Sequence, residues 1–245
     1  MLVSVICVYN SEAQLNAQLK ASLRGQDLEY EFIGLDNASG AFPSAAAALN
    51  QGAKISAGDV LVFSHQDIFL KTEDTLRELA EAIAACETGT IVGTQGVKEP
   101  SRTYYENLTA GADYDAALQE KCEKRLYEVS CVDEGLFGMT RATWERHPFD
   151  EALCDNWHLY AVEACLWARE QGHSVFVQPV QLHHFSRGRI SRSYMKGLIR
   201  LADRYRKSHR YIWTTCYKVP SSWLYVRLLY VLWAANRTLR RRPLD

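Results

Sequence analysis

The stretch Val60-Leu61-Val62-Phe63-Ser64-His65-Gln66-Asp67-Ile68-Phe69-Leu70 decides how the rest of the chain is read. Val60 to Phe63 are apolar without alternation, the pattern of a short strand buried on both faces. Ser64, His65, Gln66 and Asp67 then arrive together, and the chain turns apolar again. A strand that ends in an imidazole and a carboxylate delivers metal-binding groups to one edge of a sheet. In open α/β sheets ligands bind at that edge, outside the carboxyl ends of the strands. Asp67 is accordingly expected to hold a divalent cation.

The flanks repeat the motif of strand and helix. Residues 2–8 are β-branched and apolar, and Tyr9-Asn10 ends them. Ser11 is placed to cap a helix running to Leu23, with Leu15, Leu19 and Leu23 on one stripe. Tyr30 to Leu35 reads as a second strand, closed by Asp36-Asn37. Ala45 to Ile55 is an Ala-rich helix, and the strand at 59–63 comes third. Thr72 is placed to cap a helix whose buried stripe is Leu76, Leu79, Ala80 and Ile83, and Thr90 to Thr94 is a fourth strand. This alternation predicts an α/β fold, a mostly parallel sheet with helices on both faces. No Gly-x-Gly-x-x-Gly follows the first strand, so the backbone phosphate cradle of a dinucleotide fold is missing.

At 245 residues, 47% apolar and 23% charged, the chain has the composition of a globular domain and not of a disordered one. Its seven cysteines are odd in number and contain no Cys-x-x-Cys, which fits thiols in a reducing compartment. No signal peptide is read at Met1, and a cytoplasmic protein is expected. The net charge of −1 hides an asymmetry. Residues 1–186 hold 13 Lys and Arg against 27 Asp and Glu, a net of −14; residues 187–245 hold 15 against 2, a net of +13.

Residues 98–128 lose periodicity and read as a loop or short-helix insertion over the site. Asn107-Leu-Thr109 is a glycosylation sequon expected by chance alone. Val129 to Thr140 is strand-like, with Gly135 and Gly138 allowing close approach of a ligand or a second backbone. A helix from Ala161 to Gln171 follows, then a strand from Ser174 to Val177.

Taken in order, Val3-Ser-Val-Ile, Asp36-Asn37, Ala53 to Gly58-Asp59, His65-Gln66-Asp67, Phe149-Asp150, Trp157-His-x-Tyr160-x-x-Glu163-x-Cys-Leu166, Gly172, Pro179 and His184-x-Ser-x-Gly188 form a series. It resembles family-2-like glycosyltransferases of the GT-A fold, which use nucleoside-diphosphate sugars. The resemblance covers roughly residues 1–188, leaving 189–245 as a basic helical tail. It implies that Tyr9, Asn10, Asp36, Asn37 and His65 line the donor nucleotide site. It also implies that Asp67 matches the last acid of the family's Asp-x-Asp motif, with His65 in place of the first acid, and that His184 completes the shell of a Mn²⁺ or Mg²⁺ ion. Imidazole favours Mn²⁺ of the two. The expected reaction is inverting transfer to a glycan or lipid-linked acceptor.

Inverting transfer needs a base for the acceptor hydroxyl. Relatives carry an aspartate directly after the tyrosine at 160, where this chain has Ala161. Glu163, three residues after Tyr160, is the first candidate, with Asp155 and His158 beside it. Asp155 also reads as a helix N-cap. Two rivals remain, a donor-binding or assembly subunit that has lost its base and a nucleotidyltransferase making sugar nucleotides. Against the second, no Gly-rich basic loop follows the first strand.

In the tail, Ile190 to Arg210 reads as one helix. A second, apolar and aromatic from Trp223 to Trp233, leads into Arg237, Arg240, Arg241 and Arg242. Such a helix suits the membrane interface, here the inner face. It equally suits packing on the core or on a second subunit. Nucleic acid is not expected, since nothing resembles a reading motif.

Overall fold

The structure, a computed structural model, describes residues 1–100, 102–110, 122–186 and 190–240. Gly188, Arg241 and Arg242 lie outside the described residues.

Strands β1 (Val3–Tyr9) and β2 (Tyr30–Asp36) are joined by short helices α1 (Glu12–Ala17) and α2 (Leu19–Leu23). The single helix expected over 11–23 is bent at Gln18, which leaves helical dihedrals at φ −115° and ψ −84°. Its hydrogen bonds run on across the bend, Gln18 N–H to Gln14 and Ser22 N–H to Gln18, so Leu15, Leu19 and Leu23 still share one buried face. Helix α3 (Ala45–Ile55) starts under the Ser44 side chain and leads to β3 (Val60–His65). After β4 (Ile68–Leu70), helix α4 (Thr75–Ala84) begins two residues later than expected. The Thr72 hydroxyl donates to Asp74 instead of capping the helix.

The segment 98–128 departs most from expectation. Its described residues contribute strands and no helix: β5 (Ile91–Gly93) is followed by β6 (Gln95–Lys98), β7 (Thr103–Glu106), β8 (Leu108–Ala110) and β9 (Tyr127–Glu128). Thr103-Tyr-Tyr-Glu106 pairs with β6 as a hairpin, and its sequence lacks the alternation that marks a strand. Asn107 is buried and bonded to both backbone groups of Cys122, so its amide is not presented as a glycan acceptor.

Strands β10 (Cys131–Val132) and β11 (Leu136–Thr140) lead into α5 (Arg141–Arg146), α6 (Tyr160–Glu170), β12 (Val175–Val177) and β13 (Leu182–His184). The main sheet has the order β2-β1-β3-β11-β5-β12-β9. Strands β1, β2, β3, β5 and β12 point one way, and β11 and β9 run against them. Side chains alternate between the faces of β1 and β3. Ile6, Leu61 and Phe63 pack against α3 and α6, and Val5, Cys7, Val60 and Val62 against α2 and α4. At Gly138 a Cβ would stand 2.5 Å from the Leu61 carbonyl oxygen, which explains glycine in this strand.

The basic tail forms α7 (Arg192–Tyr205), a hairpin of β14 (Tyr211–Trp213) and β15 (Lys218–Pro220), and α8 (Trp223–Leu239). Helix α7 stops five residues short of the expected end, and the hairpin was not foreseen. Met195, Leu198, Leu201 and Tyr205 of α7 pack on Leu159, Val162 and Leu166 of the preceding helix region. Among the described residues no helix is long and apolar enough to cross a membrane.

Candidate active site

Three elements converge at the carboxyl edge of the sheet. His65 closes β3, and Asp67 sits in the turn between β3 and β4. β13 pairs antiparallel with β4, His184 opposite Ile68, and the Phe185 N–H donates to the Asp67 carbonyl at 3.0 Å. That pairing lays His184 on Asp67 across more than a hundred residues of chain. His184 Nε2 lies 3.3 Å from Asp67 Oδ1, and His65 Nδ1 lies 4.0 Å from the same oxygen. One donor atom from each of the three lies within 4.8 Å of the others.

Electrostatics follow from this packing. Burial alone would raise the Asp67 carboxyl, but the hydrogen bond and charge of His184 and the charge of His65 outweigh it and hold the group well below the usual range. His65 is shifted down, first by burial and then by His184. Burial would lower His184 as well, but its bond to Asp67 carries it up. The Tyr160 hydroxyl meets His65 Nε2 at 3.1 Å.

Gln66 joins this group to the end of β1. Its side chain accepts from the Asn10 and Ser11 N–H groups and donates to Asn10 Oδ1. Tyr9 and Asp36 are opposite one another at the ends of β1 and β2. Asp36 Oδ1 accepts from the Ala38 N–H and Asn37 Oδ1 from the Phe42 N–H, two bonds that shape the loop after β2. Tyr9, Asn10, Asp36 and Asn37 therefore form one edge, next to His65.

On the other side of His65 and His184 opens a cavity of about 780 Å³. His158 and Trp157 line it, as do Asp133, Glu134, Tyr194 and the hairpin residues Thr214 to Cys216. Asp133 and Glu134 were missed by sequence reasoning. The signal was there: an acidic pair directly after the apolar Val129-Ser-Cys-Val132, the same pattern as His65 to Asp67 after β3. Asp133 is held by the Gly135 N–H at 3.0 Å and the Thr215 hydroxyl at 2.8 Å. Burial, and then the charge of Asp133, push the Glu134 carboxyl well up.

Two proton-acceptor candidates are placed elsewhere. Glu163 is buried between helices, where it accepts from the Tyr205 hydroxyl at 2.6 Å and faces His147 Nε2 at 3.0 Å. It does not line the cavity, because the turn from Tyr160 to Glu163 points it at α7 and α5. Asp155 is neither an N-cap nor a cavity residue. The residue before α6 is Leu159, and Asp155 is ion-paired with Arg200 of α7.

The large α/β sheet thus carries a His-Asp-His group and a cavity together at its carboxyl edge. A family model described as "Glycosyltransferase like family" matches residues 4–196, and the chain belongs to that family. No curated protein matches the sequence. Among solved structures, the chain is similar to a mannosyltransferase from Pyrobaculum calidifontis in complex with GDP-Man and Mn²⁺. The TM-score is 0.58 and the identity 15%, over 94% of this chain and 69% of that one. It is also similar to GalNAc-T7 with UDP, GalNAc and Mn²⁺, with TM-score 0.57 and 12% identity over 100% of this chain and 58% of that one. S. aureus TarS residues 1–349 with UDP-GlcNAc gives 0.56 and 15% over 83% and 66%. The chain thus spans 58% to 69% of the length of these proteins.

Proposed function

We propose that the chain transfers a sugar from a nucleoside diphosphate to a hydroxyl of a glycan or lipid-linked acceptor, by single displacement with inversion. The observation that carries this reading is the His65–Asp67–His184 group, standing between the Tyr9–Asn37 edge and the 780 Å³ cavity. Two imidazoles and one carboxylate suit Mn²⁺ better than Mg²⁺, which prefers oxygen donors. When bound, the cation supplies positive charge beside the diphosphate oxygens. Two of the similar structures were described with Mn²⁺ and a nucleotide or sugar nucleotide, which supports the choice. Tyr9, Asn10, Asp36 and Asn37 hold the nucleotide, and the cavity takes the sugar and the acceptor.

The test is a thermal-shift and calorimetric screen of UDP-GlcNAc, UDP-GalNAc and GDP-mannose, with and without Mn²⁺. A bound ligand at 100 times its Kd stabilises by about 2.7 kcal/mol. Metal-dependent binding of at least one donor is expected, lost in Asp67→Asn. No binding of any donor, or binding indifferent to Mn²⁺ and to Asp67, overturns the reading. Donor binding with no turnover leaves the binding-subunit alternative standing.

We further propose a peripheral seat for α8 on an anionic bilayer at the cytoplasmic face. Leu224, Leu228, Val231 and Leu232 form an exposed stripe at helical spacing, and Arg237 and Arg240 follow at its end. A bidentate pair of Arg227 with Asp203 fixes α8 on α7 with this stripe outward. Flotation with phosphatidylserine vesicles is expected to retain the protein, and Leu228→Asp to release it. Equal binding to neutral vesicles, or a concentration-dependent dimer without vesicle binding, contradicts the proposal.

A further inference from the structure

We infer that Glu134, on the loop between β10 and β11, is the group that takes the acceptor's proton. The inference rests on the proposed transfer reaction and names a residue within it. Three observations meet at Glu134. It lines the cavity beside His158 and Tyr194, on the far side of His65 from the nucleotide edge. Its Oε1 is shielded from solvent and has no hydrogen-bond partner among the described residues. The backbone N–H groups of Leu159, Tyr160 and Ala161 lie against the same carboxylate. The carboxylate therefore sits against the amino end of α6, at the wall of the cavity.

The other acids are engaged or remote. Asp133 lines the same cavity, but its two oxygens accept from the Gly135 N–H and the Thr215 hydroxyl. Glu163 faces Tyr205 and His147, and Asp155 faces Arg200. Leu159 begins α6 in the left-handed region, at φ +72°, and supplies no side-chain cap. Glu134 thus also gives the N–H groups at the start of α6 an acceptor, a structural role that has to be separated from the chemical one.

The step balances as follows. The acceptor O–H proton passes to Glu134. The oxygen's electron pair forms the bond to the anomeric carbon, and the bond from that carbon to the phosphate oxygen breaks, its pair leaving with the nucleoside diphosphate. Water serves as acceptor when no sugar is present, so donor hydrolysis reads the same base.

The experiment measures release of nucleoside diphosphate from UDP-GlcNAc, UDP-GalNAc and GDP-mannose with Mn²⁺, together with the Kd of UDP and GDP. Glu134→Gln keeps an oxygen for the α6 amides. It is expected to bind nucleotide within twofold of the wild type while releasing product at least 100-fold more slowly, the lower bound for a positioned base. The wild-type rate is expected to rise with pH through one ionisation that the variant lacks. Glu134→Ala is expected to lose the same activity, and added formate to restore it at least tenfold. The restoration requires a carboxylate near the substrate and does not follow from helix capping. Full hydrolysis by Glu134→Gln overturns the inference and leaves the transfer reading intact. So does loss on Asp133→Asn with Glu134→Gln unaffected, or wild-type binding without turnover. Absence of any donor binding in the wild type instead overturns the reading on which the inference rests.

Discussion

Replacing Glu163 separates the geometric reading of this site from the sequence reading. The carboxylate is 1% exposed, and it ties α6 to α7 through the Tyr205 hydroxyl and to the end of α5 through His147. The Tyr205 hydroxyl keeps its proton, its pKa raised by burial and by Glu163 itself. Glu163→Ala leaves that hydroxyl in an apolar cluster without its acceptor. An orphaned buried polar group costs about 1–3 kcal/mol, and a hydrogen bond to a charged group is worth about 1.5–3 kcal/mol. His147 is about a fifth exposed and reaches water, so its loss adds little. A destabilisation of about 3 kcal/mol follows, at the low end of the range for breaking a buried pair. For a domain of this size that lowers Tm by about 6–12 °C.

Glu163→Gln retains an oxygen for Tyr205 and a nitrogen toward His147, and is expected to cost about 1 kcal/mol. The assay pairs calorimetric melting with donor hydrolysis per folded molecule. Both variants are expected to lose stability in that order and to keep their turnover below the melt. A Glu163→Gln protein that melts like the wild type but turns over 100-fold more slowly would restore Glu163 as the base and refute the geometric argument.

Other consequences test the frame of the site. Asn50 is buried and makes four bonds, donating to the Phe149 carbonyl and Glu151 and accepting from Trp144 Nε1 and the Phe149 N–H. Asn50→Ala strands the indole and the Phe149 backbone, and denaturant titration is expected to show a loss of about 3 kcal/mol or more. Gly138→Ala sets a methyl 2.5 Å from the Leu61 carbonyl and 2.6 Å from Ile83 Cδ1. The neighbouring strand has to move, and a cost of about 1–3 kcal/mol is expected by the same measurement. Glu134 carries a raised pKa in the native state. The folded chain therefore holds a proton that the unfolded chain releases, and stability falls as pH rises from the ordinary carboxylate range toward the raised value. Glu134→Gln removes that slope, so its Tm is expected to gain on the wild type between pH 4 and pH 7; a constant difference counts against a raised pKa.

The legible parts of the chain were those in which one face is buried and the other is not, or in which a strand is buried whole. Ser44 with Ala45 to Ile55 announces its helix, and β1 and β3 announce themselves by mostly apolar runs that are buried on both faces. Helix α6 is different. It is buried at every position from Tyr160 to Leu166, so periodicity had no exposed face to measure against, and Glu163 was assigned to the wrong side. His184 reads as a ligand only through the family resemblance. The β4–β13 pairing that brings it to Asp67 has no local signal, since three-residue strands carry almost no pattern. The hairpin β14–β15 was hidden in a tail whose charge drew attention away from its buried Ile212, Trp213 and Val219.

The two sides of the site differ in charge, and that difference bears on what each can hold. Among the described residues lining the cavity there is no lysine or arginine, whereas Asp133 and Glu134 both stand in it. A diphosphate seated there would meet two acids with no counter-charge. The His65–Asp67–His184 group offers a place for that counter-charge, so the proposed donor orients with its phosphates at this edge and its base toward Tyr9 and Asp36. Hydroxyl-rich neutral groups then remain for the cavity, where Trp157, 41% exposed, supplies an aromatic face. Ile190 and Tyr194 of the α7 region and Thr214 to Cys216 of the hairpin form part of its wall. Those residues belong to the basic tail, and α7 is held by its apolar face on α6 and by exposed pairs such as Arg204 with Glu170, which alone contribute little. The tail is thus part of the cavity wall, held there by its apolar residues and not by its charge.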